Sequence, residues 1–398
     1  MRTFERTHSW LKFELDLRRA SYRLWMELGE AQSKCEHIAG VPLRPSTAQE
    51  LHRVFLAKGV AATTAIEGNT LTEQEVLLHV EGKLKVPPSK EYLLQEVENI
   101  IQACNKIGEP ILKGESDNLS VQKIKDFNRM VLNNLTLEEG VVPGKIRAHP
   151  VVVAKYRGAP AEDCEFLLER LCEWLNGKDF RATVDMDIAY GILKAIVAHI
   201  YLAWIHPFGD GNGRTARLIE FEILVAAGVP TPAAHLLSNH YNLTRQDYYR
   251  QLERTSSSGG DILPFIVYAV SGFVEELKNQ IEFIRYQQWD VAWDNYIHDQ
   301  FRGKTGQPHE RRRHLALDIS EQSDPIPLNK IREISPRIAA YYANKTQKTI
   351  SRDLNELIKM DLIERTPEGI RAKREIILAF LPARRASKPN KINEEPNS

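Results

Sequence analysis

The sequence has few cysteines and no excess of charge of either sign. Its 398 residues contain four cysteines, at positions 35, 104, 164 and 172, and no two of them form a C-x-x-C pair. We therefore expect free thiols in a reducing compartment, and neither a disulfide framework nor a zinc site. Lys and Arg together number 53, as do Asp and Glu, which excludes a uniformly basic nucleic-acid-binding coat.

The sequence also lacks a segment that would direct the chain to a membrane or out of the cell. Residues 1–19 have no apolar run of the kind that a secretory signal needs. The longest apolar stretch, residues 195–205, is interrupted by His199 and is shorter than a bilayer-spanning helix. We therefore expect a cytoplasmic protein with no membrane partner.

Helical periodicity dominates the first 290 residues. Isoleucines at positions 188, 192, 196 and 200 recur every four residues, which predicts a helix with one apolar face. Gly68 and Asn69 are predicted to end one helix, and Thr72 and Glu75 to open the next with a capping box. Residues 151–153 are β-branched and predict a short hairpin or flap instead.

Beyond residue 325 the pattern changes to short helices followed by strands. Ile350, Leu354, Leu357 and Ile358 share one face of a predicted helix. Residues 362–380 predict two strands joined by a turn at Pro-Glu-Gly. This order of elements is typical of a winged helix.

The C-terminal part of the chain is also the basic part. Residues 301–398 contain 20 Lys and Arg against 13 Asp and Glu, a difference of +7, so the rest of this neutral chain differs by −7. A basic helix followed by a basic wing fits a DNA partner. Acidic residues interrupt the helix, and a protein partner stays open as the alternative. The cations are Lys345, Lys348, Arg352 and Lys359 in the helix, and Arg371, Lys373 and Arg374 in the wing.

The densest cluster of reactive residue types is residues 206–217, with the sequence HPFGDGNGRTAR. Its three glycines lie directly before a predicted helix, so backbone N–H groups and the helix dipole would favour an anion there. Arg214 and Arg217 fall on one face of the first turn and suit a di- or triphosphate. There is no Walker lysine pattern, so this is not a P-loop.

Two further residues of this stretch predict chemistry on the bound phosphates. Asp210 offers the oxygen ligand with which proteins hold Mg²⁺ beside phosphates. His206 titrates near neutral pH and is able to take a proton from an attacking hydroxyl. The density of these residues, more than any one of them, favours a catalytic site.

Residues 206–217 match the Fic-domain signature H-P-F-x-[D/E]-G-N-G-R-x-x-R at every specified position. The resemblance implies a mainly α fold: a Fic-type helical core with a short β-hairpin flap, here followed by a C-terminal winged helix-turn-helix. It also implies a protein adenylyltransferase, which moves AMP from ATP to a Ser, Thr or Tyr hydroxyl of a protein, including the chain itself. Mg²⁺ would be the cofactor and ATP the co-substrate.

The same resemblance assigns roles to individual residues. His206 would be the base that deprotonates the target hydroxyl, and Asp210 would hold Mg²⁺ against the phosphates. A flap would align the target by strand addition. The implied ATP-binding residues are Asp210, Gly211, Asn212, Gly213, Arg214, Arg217, Tyr248 and Tyr249, and the implied flap residues are Val153, Ala154, Lys155 and Tyr156.

A second stretch, Thr63-x-x-x-Glu67-Gly68, resembles the inhibitory helix of Fic proteins. The resemblance implies that Glu67 pairs with Arg217 and obstructs productive placement of the γ-phosphate. The predicted domains are an N-terminal helical region at 1–113 with the inhibitory helix near 60–69, a Fic core at 114–280, a helical linker with loops at 281–325, a winged helix at 326–386 and a disordered tail at 387–398.

Two other functions stay open from the sequence. One is a DNA-binding regulator in which the Fic core senses a nucleotide. The other is a Fic enzyme that removes AMP or transfers a different nucleotide or a phosphate. A homodimer is a further candidate assembly, because many Fic proteins regulate themselves by dimerising.

Overall fold

The computed structural model describes residues 2–43, 45–115, 118–153 and 156–378. Two of the predicted flap residues, Ala154 and Lys155, and the predicted tail at 387–398 lie outside these ranges. The helices are α1 (Thr3–Thr7), α2 (Tyr22–Ala39), α3 (Pro45–Ile66), α4 (Glu73–Val80), α5 (Glu91–Leu112), α6 (Val121–Val131), α7 (Cys164–Leu175), α8 (Asp187–Ile205), α9 (Asn212–Ala226), α10 (Leu236–Leu243), α11 (Arg245–Ser257), α12 (Leu263–Gln300), α13 (Gln307–Ser320), α14 (Pro336–Tyr342) and α15 (Gln347–Lys359). The strands are β1 (Val152–Val153), β2 (Tyr156–Arg157), β3 (Ile363–Thr366) and β4 (Gly369–Ala372).

The chain divides into two compact units, of which the first ends at Glu282 and the second begins at Phe283. The first unit has one hydrophobic core. Leu24 of α2, Val60 of α3 and Val97 of α5 are fully buried in the same cluster as Ile196 of α8. The region predicted as an N-terminal domain and the predicted Fic core therefore pack as a single unit.

Helix α8 is the centre of that core. Its isoleucines are buried as expected, but so are Ala195, Val197 and Tyr201, so the helix is covered on all sides and has no polar face. The expectation that its apolar stretch is too short for a bilayer was wrong. The helix has 19 residues and a mean hydropathy of 1.7, enough to cross a membrane by length and composition. However, 83% of its most apolar window is buried inside the protein, as in a core helix.

The predicted helix ends are confirmed around residue 68. Helix α3 ends at Ile66, and Gly68 follows with a φ of +105°, a backbone conformation that glycine adopts at little cost. Thr72 caps α4, and Glu75 completes the predicted capping box. The loop between α3 and α4 is therefore fixed at both ends, which sets the position of Glu67 just beyond the last turn of α3.

The predicted short hairpin is confirmed as an antiparallel pair of β1 and β2, in which Val152 is opposite Arg157 and Val153 opposite Tyr156. An isolated bridge joins Ile146, just upstream, to Phe208 in the loop after α8. The segment before the hairpin is therefore attached to the glycine-rich loop.

The second unit contains the C-terminal part of α12 and the helices α13 to α15, followed by the antiparallel pair of β3 and β4. This is the element order predicted for a winged helix, and the assignment to that class stays a prediction. Gly369 is the first residue of β4. A side chain at this position would place its Cβ 2.3 Å from the Ile326 carbonyl oxygen, so only glycine permits the two backbone segments to lie this close.

The stretch predicted as a helical linker with loops, residues 281–325, includes residues that are buried in the core of the second unit. Trp293 and Ile297 of α12 and Leu315 of α13 are fully buried in one hydrophobic cluster with Leu354 of α15. The many charged residues of this stretch are compatible with such burial, because an amphipathic helix needs only a narrow apolar stripe.

Candidate active site

The loop between α8 and α9 carries the glycine-rich sequence. His206 ends α8 in the left-handed conformation, with φ of 49° and ψ of 59°, which is uncommon for a residue other than glycine. Gly211 also has a positive φ, of 76°, and α9 begins at Asn212. These two turns reverse the chain between the helices and place His206 beside the N-terminus of α9.

Arg147 holds the left-handed turn in place. Its guanidinium donates to the carbonyl oxygens of His206 at 2.7 Å, His149 at 2.6 Å and Ala159 at 2.5 Å. It makes no ion pair within the described residues and is 5% exposed. The sequence gave no sign of this role, because the partners of Arg147 are backbone carbonyls from separate segments.

Two asparagines stabilise the rest of the loop. The Asn212 side chain accepts from the Phe208 backbone N–H at 3.0 Å and donates to the Phe208 carbonyl at 2.9 Å. Asn212 also lines the cavity beside the site, and its predicted contact with ATP stays a prediction. Asn128 of α6, which the sequence did not reveal, donates to the Asp210 carbonyl at 2.9 Å and is fully buried. The signal available in the sequence was that Asn128 is a polar residue on the apolar face of a predicted helix.

Arg214 lies between two carboxylates. It donates to Glu96 of α5 at 3.2 Å and to Asp210 at 3.2 Å. Glu96 in turn accepts from Asn69 at 2.8 Å, so the loop after α3 is tied to the same arginine. Glu96 was missed from the sequence because it is 118 residues from Arg214, with nothing local to mark it.

Arg217 is buried against the end of α3. Its guanidinium donates to the Glu67 carboxylate at 2.5 Å, to the Thr63 carbonyl at 3.0 Å and to the Thr63 hydroxyl at 3.2 Å. The Arg217 side chain is 1% exposed and that of Glu67 is 33% exposed. The structure thus brings together Thr63, Glu67 and Arg217, as the sequence resemblance implied, although 150 residues separate the two charges.

The Glu67 carboxylate lies directly against the first turn of α9. A Cβ added to Gly213 would be 2.2 Å from the Glu67 Oε1, a contact that no side chain tolerates. The first turn of a helix leaves N–H groups without intrahelical partners and favours an anion. The Arg217 Nη1 is also buried and has no hydrogen-bond acceptor among the described residues. A carboxylate therefore lies where the glycines and arginines provide for a phosphate.

Burial and the charged groups of the site determine the protonation states of His206 and Glu67. Burial lowers the pKa of His206 to about 4, Arg147 adds to the shift, and Glu67 and Asp210 oppose it. His206 is therefore neutral at physiological pH and able to accept a proton. Burial would raise the pKa of Glu67, but Arg217 and the other nearby cations outweigh it and hold the pKa below its ordinary value. Glu67 is therefore an anion.

A cavity of about 520 Å³ opens beside these groups. A volume of this size lies within the range of small-molecule sites. Its lining includes His206, Glu67 and Gly213 together with apolar and aromatic side chains, among them Tyr248, Tyr249, Tyr156, Trp204 and Leu252. The cavity therefore combines polar groups beside the N-terminus of α9 with a largely apolar lining.

The predicted tyrosines line this cavity in different ways. Tyr248 is 3% exposed, and its hydroxyl makes a 2.9 Å hydrogen bond with the buried His199. Tyr249 is 44% exposed, and its hydroxyl donates to the Ile66 carbonyl at 3.1 Å. The Tyr156 hydroxyl donates to the Trp204 carbonyl at 2.7 Å, so this flap side chain is tied to α8.

The residues present fit a magnesium ion held mainly by phosphates. Within the described residues, no group of three or more His, Cys, Asp or Glu side chains could hold a metal by itself. Asp210 offers one carboxylate whose side chain is 49% exposed. Mg²⁺ is commonly bound by one or two carboxylates together with substrate phosphates and water. The donor set therefore suits a metal that arrives with a nucleotide.

The sequence of residues 118–224 matches the Fic/DOC family. The match covers α6 to α9, the segment that supplies His206, Asp210, Arg214 and Arg217. Over residues 118–224 the chain is therefore similar to the Fic/DOC family. Its inhibitory-helix resemblance lies outside the matched segment, in α3.

Similar proteins extend the Fic likeness over about half the chain. A protein adenylyltransferase Fic from Nematostella vectensis is 32% identical over 204 residues, which are 51% of this chain and 44% of that protein. Protein adenylyltransferase fic-1 from Caenorhabditis elegans is 32% identical over 206 residues, 52% of this chain and 37% of that protein. The chain thus spans less than half the length of these curated relatives.

Solved structures show the same fold. Fic-1 of C. elegans has a TM-score of 0.55 and 25% identity, with coverage of 66% of this chain and 73% of that one. A Fic family protein from Desulfovibrio desulfuricans has a TM-score of 0.54 and 20% identity, with coverage of 88% of this chain and 94% of that one. The expected fold class, mainly α with a short two-stranded flap, is confirmed by these neighbours.

Proposed function

We propose that the chain is a protein adenylyltransferase that moves AMP from ATP to a hydroxyl side chain of a protein. The observation that carries this proposal is a neutral His206 beside an anion-favouring helix N-terminus, in the lining of a nucleotide-sized cavity. The largely apolar lining with Tyr248 and Tyr249 suits a base and ribose. The names of the curated relatives support the same reaction.

The reaction would be an in-line displacement at the α-phosphorus. The hydroxyl oxygen of the target forms a bond to phosphorus, the bond from phosphorus to the bridging oxygen of the β-phosphate breaks, and pyrophosphate leaves. His206 would take the hydroxyl proton. Arg214, Arg217 and the N–H groups at the start of α9 would neutralise the phosphate charge, the main contribution that a protein makes to such a step.

Mg²⁺ would be held by Asp210 together with the phosphates and would neutralise part of their charge. Asp210 is suited to this role because its carboxylate is half exposed and its backbone is fixed by Asn128. Release of its contact with Arg214 would free both the carboxylate for the metal and the guanidinium for a phosphate.

The resting site is proposed to be inhibited by Glu67. Its carboxylate touches Gly213 and neutralises Arg217, so a terminal phosphate would have to displace it. Two anions cannot share this position because like charges in a poorly solvated site repel strongly. ATP would therefore bind in an unproductive position until Glu67 moves.

Intact-mass measurement after incubation with ATP and Mg²⁺ tests the proposed reaction. We expect wild type and Glu67→Gly to gain the mass of AMP by self-modification, with more product in Glu67→Gly. His206→Ala should gain none, whereas the exposed His37→Ala on α2 should behave as wild type. The absence of any mass gain in Glu67→Gly, alone and with candidate proteins, would contradict the proposal.

The label position separates adenylyl transfer from its alternatives. If the protein retains label from ATP labelled at the α-phosphate but not at the γ-phosphate, the reaction is AMP transfer. The reverse result identifies phosphate transfer. A parallel incubation with UTP tests for a different nucleotide. Loss of AMP from a premodified protein, dependent on Glu67, would show that the chain works in the removing direction.

A further inference from the structure

We propose that the second unit binds duplex DNA through the exposed face of α15, independently of adenylyl transfer. The sequence left DNA and protein partners equally open because acidic residues interrupt the basic helix. The structure shows where each of those acidic residues lies, and none of them is on the N-terminal half of the exposed face of α15.

Asp353 is the first of these residues, and it faces the core. It is 1% exposed and accepts hydrogen bonds from Arg311 at 2.8 Å, Arg312 at 2.7 Å and the Tyr342 hydroxyl at 2.9 Å. It fixes α15 to α13 and α14 and contributes nothing to the outer surface. Its negative charge is fully used inside the unit.

The other two acidic residues are engaged by neighbouring lysines. Glu356 accepts from Lys359 at 3.0 Å near the C-terminal end of α15. Asp361 lies beyond the helix and accepts from Lys373 of the wing at 2.7 Å. The N-terminal half of the exposed face of α15 therefore carries no acidic side chain.

Cations without a carboxylate partner gather at that half of the helix. Lys348 and Arg352 are exposed, are one helical turn apart, and lie on the side opposite the buried Ile350 and Leu354. Arg365 of β3 reaches the same face, where it donates to Asn355 at 2.9 Å. Within the described residues, these three cations form no ion pair.

Two more such cations lie near the turn before α15, Lys345 within that turn and Arg332 in residues 331–333. Lys345 is exposed, and its carbonyl accepts from Arg332 at 2.5 Å, which places that guanidinium beside the helix. Neither has a carboxylate partner among the residues that the structure describes. We call Arg332, Lys345, Lys348, Arg352 and Arg365 the α15 cation surface.

The geometry of the supporting helices suits a groove-binding helix. A turn of four residues, 343–346, separates α14 from α15, as in helix-turn-helix units. The N-terminal residues of the second helix in such a unit contact base edges. Ser351 and Asn355 lie among the cations of this face and offer groups that hydrogen-bond to bases.

The wing, by contrast, has little free charge. Arg371 pairs with Glu364 and with Glu375, and Arg374 pairs with Asp290. With Lys373 bound to Asp361, all three basic residues that the sequence assigned to the wing are neutralised. These paired residues are weaker candidates for phosphate contacts than the unpaired cations of α15, so the proposal is based on the helix.

Fluorescence anisotropy with the full chain tests the proposal. The probe is a labelled duplex of mixed sequence about 20 base pairs long, titrated between about 50 and 200 mM salt. Lys348→Gln/Arg352→Gln should weaken binding at least about tenfold and reduce the slope of log K against log salt by about two. Arg371→Gln/Lys373→Gln removes the same charge from the wing and should change the affinity less than about twofold.

Three results would overturn the proposal. No anisotropy change with duplex at the lowest salt means that the surface serves a protein partner instead. Equal losses in the two double variants mean that general charge attraction, not the α15 surface, binds DNA. Equal or tighter binding of the single strand excludes duplex recognition. Unchanged thermal unfolding and self-labelling of the variants keep these outcomes separate from misfolding and from the proposed catalysis.

Discussion

Replacing Glu67 by glutamine separates its charge from its size. The amide keeps the side-chain volume against Gly213 but no longer neutralises Arg217, whose side chain is 1% exposed. In wild type, an incoming phosphate must replace a carboxylate that is bound 2.5 Å from the guanidinium. In Glu67→Gln the phosphate instead supplies the charge that the buried arginine lacks.

The size of the effect follows from that single contact. A hydrogen bond to a charged group contributes about 1.5–3 kcal/mol, and the lower part of this range applies because Glu67 is a third exposed. A value of about 1.5–2 kcal/mol corresponds to nucleotide binding that is about 10–30 times tighter. The same contact is lost from the free protein, so the free energy of unfolding without nucleotide should fall by a similar amount.

Calorimetric titration with a non-hydrolysable ATP analogue and Mg²⁺ measures the nucleotide affinity. Thermal unfolding with and without the analogue measures the change in stability. The nucleotide-induced rise in unfolding temperature should be larger in Glu67→Gln than in wild type. Glu73→Gln, an exposed glutamate in the first turn of α4, is the matched control and should match wild type. Equal affinity in Glu67→Gln and wild type would refute the idea that the carboxylate occupies a phosphate position.

Two further predictions concern protonation and stability. Because the pKa of His206 is about 4, the self-labelling rate should be independent of pH between about 7 and 5 and fall below that. Arg147→Gln removes a cation that disfavours the protonated imidazole, so the pKa of His206 should rise and the acid limb of the pH–rate profile should move to higher pH. Arg147→Lys should restore the wild-type position of that limb. An acid limb that does not move in Arg147→Gln would contradict this prediction. In the second unit, Asp353→Asn leaves two arginines without their buried partner and should cost about 3–5 kcal/mol in denaturant unfolding, whereas the exposed Glu356→Gln should stay within about 0.5 kcal/mol. Equal losses in these two variants would contradict the proposed role of Asp353.

The sequence by itself determined the local structure. Thr and Gly signals located helix ends correctly at Thr72 and Gly68. A β-branched run located the first strand pair, and a turn signal located the second. Residues 206–217 located the candidate anion-binding loop because all its parts are contiguous in the chain. Such features depend on neighbours within a few positions, where backbone geometry follows from residue type.

The tertiary structure alone decided which charges are free and which are used. Glu96 and Arg147 act on the site from distant segments, and nothing in their own neighbourhood in the chain marks them. Asp353 looked like an interruption of a basic surface, yet packing turns it into the core. Charge balance counts residues, whereas the energy of each charge depends on its burial and its partner, and those arise only when remote segments pack together.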